Sequence, residues 1–250
     1  MTFKIYSNLH TLFAAKHLRD QLERLGHSAS LVDSINTTDK ETYIIYNASA
    51  VQQMPSKFII YQTEISKSHW FNPRYYSRIR RAVAVWDYSE TNVKRYESFN
   101  NNIHVISPGI SPQHFCHKKD IGVTFYGWID GSARRKRIIT DIAKRFKINI
   151  VTNTLDSAMW KILARTKVVL NVHYYDNSPL ELFRVHEALS FGCHVVSEQP
   201  GVDRYNGLVH FADMNNGIVD KLNEISKKDF KYNIKTLDNF EELKQALKTI

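Results

Sequence analysis

Residues Lys167 to Glu198, KVVLNVHYYDNSPLELFRVHEALSFGCHVVSE, constrain the fold of this chain more than any other stretch. Lys167–His173 is a short apolar run, the pattern of a strand buried on both faces. Asp176–Ser178 turns the chain. Ser178, Pro179 and Glu181 then read as N-cap, first and third helical positions, a capping box that opens a helix. Leu182, Val185 and Leu189 recur at helical spacing, and Gly192 supplies the stop. Cys193–Ser197 is a second apolar strand. The stretch is therefore one βαβ unit of roughly thirty residues, with parallel strands and a right-handed crossover. Such a unit binds ligands at the carboxyl ends of its strands, beside the helix N-terminus. That edge gathers His173, Tyr174, Tyr175, Asp176, Ser197 and Glu198. Arg184 and Glu187 project from the polar helix face and lean back toward the same edge.

The rest of the chain repeats the alternation. Phe3–Ser7, Ser30–Val32, Thr42–Tyr46, Lys57–Tyr61, Ala82–Trp86 and Ile103–Ile106 read as strands, with a helix over Leu12–Leu25 and another from Ser89 or Glu90 to about Phe99. Gly122–Tyr126, Ile148–Val151 and Leu208–Phe211 are further strands. Helices are expected after Gly131 to near Phe146, over Ser157–Ala164, over Asn216–Ser226 and over Asp238–Thr249. Strands alternating with helices predict a parallel α/β sheet. Glu64 ends the string Tyr61-Gln-Thr-Glu64 directly after a strand, so its polar groups belong at a carboxyl edge. It reads either as a general base for an acceptor hydroxyl or as a cap of the next segment. Asp87, at the end of the following strand, is the next candidate base. Phe71–Arg81, FNPRYYSRIRR, interleaves arginines with aromatics. That pattern suits phosphate or nucleic-acid contact, and equally a solvated helix face with Tyr75, Tyr76 and Ile79 packed inward.

Length and charge bound the possibilities. A chain of 250 residues holds one large or two small domains. No apolar run reaches the roughly twenty residues of a membrane span. The first residues, MTFKIYSNLH, read as a strand rather than a secretory leader. Cys116 and Cys193 stand far apart without metal-like spacing, which suits a reducing, cytosolic compartment. The formal net charge of +9 fits a phosphorylated ligand, an anionic membrane face, a nucleic acid, or plain solubility.

Arg184, Glu187, Ala188, Leu189, Gly192, Val195 and Val196 spell R-x-x-E-A-L-x-x-G-x-x-V-V. This resembles the nucleotide-binding motif of the group 1 glycosyltransferases, which have the GT-B fold. The resemblance implies two Rossmann-like domains whose parallel sheets face a central cleft. Residues 1–107 would form an acceptor-side domain, 108–235 a nucleotide-sugar domain, and 236–250 a helix crossing back. Pro108-Gly109-Ile110 matches the family's interdomain linker, and His114, His117, Lys118 and Lys119 mark it as solvated. The resemblance assigns the ribose hydroxyls to Glu187. It assigns the donor diphosphate to a glycine loop, Gly127 to Gly131, with Arg134 or Arg135 behind it and Arg135 slightly preferred. A cation there opposes the helix dipole, and a bound anion would offset that. The remaining donor-side candidates are His173, Tyr174, Ser178, Glu181 and Arg184. Many retaining members carry a further Glu eight residues before the ribose-binding one; here Pro179 stands there, leaving stereochemistry open. The family needs no bound metal, and no cofactor is implied beyond the nucleotide-sugar donor. The expected acceptor is a glycan hydroxyl. Two alternatives are transfer to hydroxylated bases of DNA, and a non-catalytic nucleotide-sugar binder.

Overall fold

The computed structural model describes residues 1–113, 118–198, 205, 207–231 and 233–250. His114, Cys116, His117 and most of the loop expected over 199–206 lie outside the described residues. The chain divides into two compact units, Met1–Gly109 with Leu237–Ile250, and Ile110–Thr236.

In the first unit β1 (Thr2–Tyr6), α1 (Leu12–Arg24), β2 (Ser28–Val32), β3 (Thr42–Tyr46), β4 (Phe58–Gln62), α2 (Pro73–Arg81), β5 (Ala84–Asp87), α3 (Glu90–Val93) and β6 (Ile103–Val105) follow in order. All neighbouring strands pair parallel, in the order β2-β1-β3-β4-β5-β6. The central strands TYIIY, FIIYQ and AVWD are buried throughout, as continuous apolar runs require. One expected element differs. The helix expected to reach Phe99 stops at Val93 and resumes as a 3₁₀ turn at Glu97–Phe99. Asn92 and Tyr96 are both drawn onto the Asp87 carboxylate instead.

The second unit holds β7 (Ile121–Tyr126), α4 (Ala133–Arg145), β8 (Asn149–Val151), α5 (Asp156–Arg165), β9 (Thr166–Asn171), α6 (Leu182–Ser190), β10 (His194–Ser197), β11 (Val209–Phe211) and α7 (Ile218–Ile225). Its parallel strands run β11-β10-β9-β7-β8. Val123, Phe125, Ile138, Ile142, Val168 and Leu222 belong to the core between sheet and helices. The strand order reverses between β7 and β9, so the loops leaving their carboxyl ends diverge and open a crevice. β9 and β10 pair in parallel, Val169 opposite Val195 and Asn171 opposite Ser197, as the apolar runs predict.

The final helix, α8 (Phe240–Leu247), packs within the first unit. Asn239 Nδ2 donates to the Ser107 carbonyl at 2.8 Å, and Glu242 accepts from the Ser107 amide at 2.9 Å. Gly109 has φ +73°, and a Cβ there would collide with His17 and Asn239. Gly109 of the Pro-Gly pair is thus a steric requirement.

Candidate functional site

The crevice of the second unit is lined from three elements. β7 ends at Tyr126 and is followed by Gly127, whose φ of +131° favours glycine. A Cβ on Gly127 would stand 2.8 Å from Arg184 Nη2, so the missing side chain makes room for that guanidinium. Gly131 does the same for Tyr174 and Trp128, whose atoms would lie 2.5 and 2.6 Å from its Cβ. The loop ends at Ser132, which caps α4 by accepting from the Arg135 amide at 3.2 Å and donates to the Tyr174 carbonyl at 3.0 Å.

Three guanidinium groups converge here. Arg135 is 3% exposed and turned inward, 2.6 Å from a Glu181 oxygen and 3.2 Å from the Trp128 carbonyl. Burial pulls its pKa down to about 10. Arg184 bonds the second Glu181 oxygen and Asn171 Oδ1, the latter at 2.8 Å. Arg134 is the more open of the adjacent pair; it pairs with Glu198 and reaches Asp176 at 3.5 Å. Of the two candidate diphosphate cations, Arg135 is thus the buried one, bound to Glu181, and Arg134, bound to Glu198, is the more accessible. On the other side of Arg134, a cavity of about 550 Å³ is lined by Arg137, Asp176, Glu198, Asp213 and Asn215 among others.

Glu181 is not the third residue of a capping box. α6 begins at Leu182, Glu181 occupies its N-cap position, and Ser178 is fully buried with its hydroxyl donating to the Tyr175 carbonyl at 2.9 Å. Two guanidinium groups outcompete the single backbone bond a capping box offers. The Glu181 carboxylate still accepts the Tyr174 amide at 2.9 Å.

His173 closes β9's edge. It is 1% exposed, burial lowers its pKa, and its amide donates to Glu198. Two buried nitrogens in this cluster, His173 Nε2 and Arg135 Nε, have no hydrogen-bond partner. Glu187 stands one turn along α6, accepting from Trp160 Nε1 at 2.8 Å and from Tyr126 Oη at 3.0 Å. Burial raises its pKa, against these two donors. Both donors are neutral, and a carboxylate has about four acceptor sites, so capacity remains for further hydroxyls. Trp128, 61% exposed, stacks on Tyr174 with ring centroids 6.3 Å apart.

The sequence reading passed over Trp160 and Tyr126 as partners of Glu187 and did not assign Glu198 a role. Glu198 was findable, since it follows an apolar strand at the carboxyl edge. Nothing in the sequence ties Trp160 to a residue 27 positions away.

In the first unit the strand order reverses at β1 and β3, and the polar groups there form a connected set. Thr11 Oγ1 donates to Asn47 Oδ1 at 3.1 Å, and Asn47 Nδ2 donates to Thr63 Oγ1 at 2.9 Å. Glu64 lies beside them, half-buried; burial raises its pKa, partly opposed by a hydrogen bond from Asn47. Its backbone amide bonds Gln62 Oε1 at 2.9 Å, and no helix starts on it. Asp87 is 0% exposed, holding the Ser89 amide at 2.8 Å, Asn92 Nδ2 at 3.2 Å and Tyr96 Oη at 2.6 Å. Burial pushes its pKa up to about 7. Asp87, the next candidate base, thus has no exposed surface in this structure and anchors the α3 segment.

Among the described residues, no three His, Cys, Asp or Glu side chains are grouped to hold a metal ion, and no helix is long and apolar enough to cross a membrane.

No protein-family model matches the chain, and no curated protein matches it in sequence. Solved structures share its fold. An alpha-glucosyltransferase in complex with UDP-glucose and DNA containing an abasic site aligns with a TM-score of 0.60 at 10% identity, covering 99% of this chain and 94% of that one. Anabaena HepE, solved with UDP and glucose, aligns at 0.59 and 12% identity, covering 100% and 99%. AviGT4, a glycosyltransferase involved in avilamycin A biosynthesis, aligns at 0.58 and 12%, covering 98% and 92%. The chain has the GT-B glycosyltransferase fold.

Proposed function

We propose that this GT-B chain is a glycosyltransferase that moves a sugar from a nucleotide-sugar donor to a glycan hydroxyl. The observation that carries the reading is the convergence of Arg134, Arg135 and Arg184 with Glu187 around a glycine loop at the carboxyl edge of one parallel sheet. Glycosyl transfer leaves a nucleoside diphosphate, so charge develops on the leaving oxygen. Guanidinium groups held in place before the reaction stabilise that charge without reorganising. Arg134 meets the diphosphate directly. Arg184 and Arg135, held by Glu181, supply fixed positive charge behind it. Glu187, already positioned by Trp160 and Tyr126, accepts the ribose hydroxyls. His173 Nε2 and the exposed ring of Trp128 remain for the sugar or the base. On the acceptor side Glu64 is the base: burial raises its pKa, and a carboxylate with a raised pKa takes a proton more readily than an ordinary one.

The test is a thermal-shift screen against nucleotide-sugars, since a ligand that binds only the folded chain raises its melting temperature. Donor titration of Glu187→Ala follows. Loss of a hydrogen-bonded charged group costs about 1.5–3 kcal/mol, so affinity should fall by roughly ten- to a hundredfold with the fold intact. Unchanged affinity removes Glu187 from the site. Donor turnover, including slow hydrolysis, separates an enzyme from a non-catalytic binder. Duplex DNA is the second acceptor class to assay, motivated by the net charge of +9; acceptance of label by DNA but not by glycans would replace the glycan reading.

A further inference from the structure

One face of α2 carries cations that, among the described residues, pair with no carboxylate, and the proposed reaction does not use it. Between Glu64 and Asp87 the sequence places Lys67, Arg74, Arg78, Arg80 and Arg81 and no acidic residue. Arg74, Arg78 and Arg81 stand at i, i+4 and i+7 and so share one side of the helix. They span about 10 Å along its axis at 1.5 Å per residue. With Ser77, and with Thr37 and Gln52 from loops between strands, they line a cavity of about 500 Å³ that no carboxylate borders. That volume falls within the range of small-molecule pockets.

The cavity is built around a buried charge. The sequence pattern left the arginines of this helix either on a solvated face or turned to phosphate or nucleic acid, and Arg78 is only 5% exposed. Its terminal nitrogens donate to the carbonyls of Ala48 and Val51, and to those of Ser49 at 3.1 Å and Gln52 at 3.4 Å. Arg74 Nη2 holds the same loop, 2.7 Å from the Gln52 carbonyl. Arg81 lies over the Phe58 ring at 6.0 Å. Carbonyl dipoles and a ring face satisfy donors but carry no net charge. Three like charges remain on one face, one of them largely out of water, and that arrangement is costly without an anion.

The shape favours a discrete anion. Arg74 and Arg78 are fixed around a concavity by backbone bonds and Arg81 rests on the Phe58 ring, while Tyr75 and Ile79 of the same helix point into the core. The face therefore offers no apolar wedge for a bilayer. Thr37, Ser77 and Gln52 add hydroxyl and amide groups suited to a polar body attached to the anion. Arg81 ends α2 three residues before β5 begins, so this end of the cavity lies toward the amino ends of the strands; Glu64 and Asp87 follow the carboxyl ends.

We propose that this cavity is a second ligand site, which binds the phosphate group of a small phosphorylated molecule. Arg74 and Arg81 donate to the phosphate, and Arg78 supplies a fixed charge behind them. Arg81 lies toward the amino ends of the strands, away from Glu64, so the site suits an effector rather than a substrate.

The experiment is calorimetric titration of the full chain with inorganic pyrophosphate at low salt, comparing wild type, Arg74→Gln/Arg81→Gln and Arg134→Gln. The proposal expects a binding event that survives Arg134→Gln and weakens about tenfold or more in the double variant, the scale of charge-assisted hydrogen bonds. Arg81→Gln alone, which breaks no hydrogen bond among the described residues, should weaken it by roughly threefold or more; it keeps the test decisive if the double variant unfolds. Absence of pyrophosphate binding to wild type overturns the proposal, as does binding lost only in Arg134→Gln. Titrations with a short DNA duplex and with phosphatidylglycerol vesicles complete the test. Binding of either through Arg74 and Arg81, where pyrophosphate does not bind, also overturns it.

Discussion

Glu181 is the residue whose removal tests the charge arrangement of the second unit most directly. Its carboxylate lies between Arg135 and Arg184 and also accepts the Tyr174 amide. The side chain is 16% exposed, and that of Arg135 only 3%. Glu181→Gln keeps the shape and one acceptor oxygen but removes the charge, leaving the Arg135 guanidinium buried beside Arg184 without a counter-ion. Breaking one side of a buried pair costs about 3–5 kcal/mol. Because an amide oxygen remains, the low end, about 3 kcal/mol, is expected. The pH dependence carries a second signature. Burial alone would raise the Glu181 pKa, but Arg184 and then Arg135 more than reverse this and bring it below the ordinary 4.5. The folded chain therefore resists protonation more than the unfolded one. The contribution is complete above pH 4.5 and is lost as pH falls through the lowered folded value. Urea unfolding followed by circular dichroism over a pH series reads both effects. The gap between wild type and Glu181→Gln should be full at neutral pH and close as the acid limit is approached. A gap below about 0.5 kcal/mol at neutral pH, the range of ordinary surface substitutions, would refute the network as a stabilising element. So would a gap that does not change with pH.

Three further outcomes follow from the same structure. Removing Arg134 and Arg135 together should cost affinity for a diphosphate-bearing donor far more than for a bare nucleoside; equal losses in paired titrations would mean the arginines only support the fold. Glu64→Gln should lower turnover by about 10²–10⁴-fold with melting temperature and donor affinity nearly unchanged, and a stability loss at full turnover would make Glu64 structural. Asp87 has a folded pKa raised from 3.8 to about 7, so the folded chain binds the extra proton between those values and stability should fall as pH rises across that window. Asp87→Asn should flatten that fall in unfolding curves, and a slope identical to wild type would show that Asp87 does not titrate there.

The amino-acid sequence by itself determined the layered α/β plan. Strands buried on both faces need continuous apolar runs, and TYIIY, FIIYQ and TKVVLN stand out without knowledge of their partners. Glycines at Gly109, Gly127 and Gly131 were legible as special positions, and the motif through Arg184 and Glu187 placed a ligand edge beside α6. Partnership was not legible. Arg134 meets Glu198 across 64 residues, and Arg135 meets Glu181 across 46. Local pattern assigned Glu181 to a helix cap because a backbone amide is the partner that lies nearby in sequence. Only folding brings two guanidinium groups to it, and their combined field outweighs one cap bond. The same holds for Arg78 and Asp87. Spacing along a helix or a strand says which face a side chain occupies, but burial of its charge depends on which distant loop closes over that face, and this the tertiary structure alone decided.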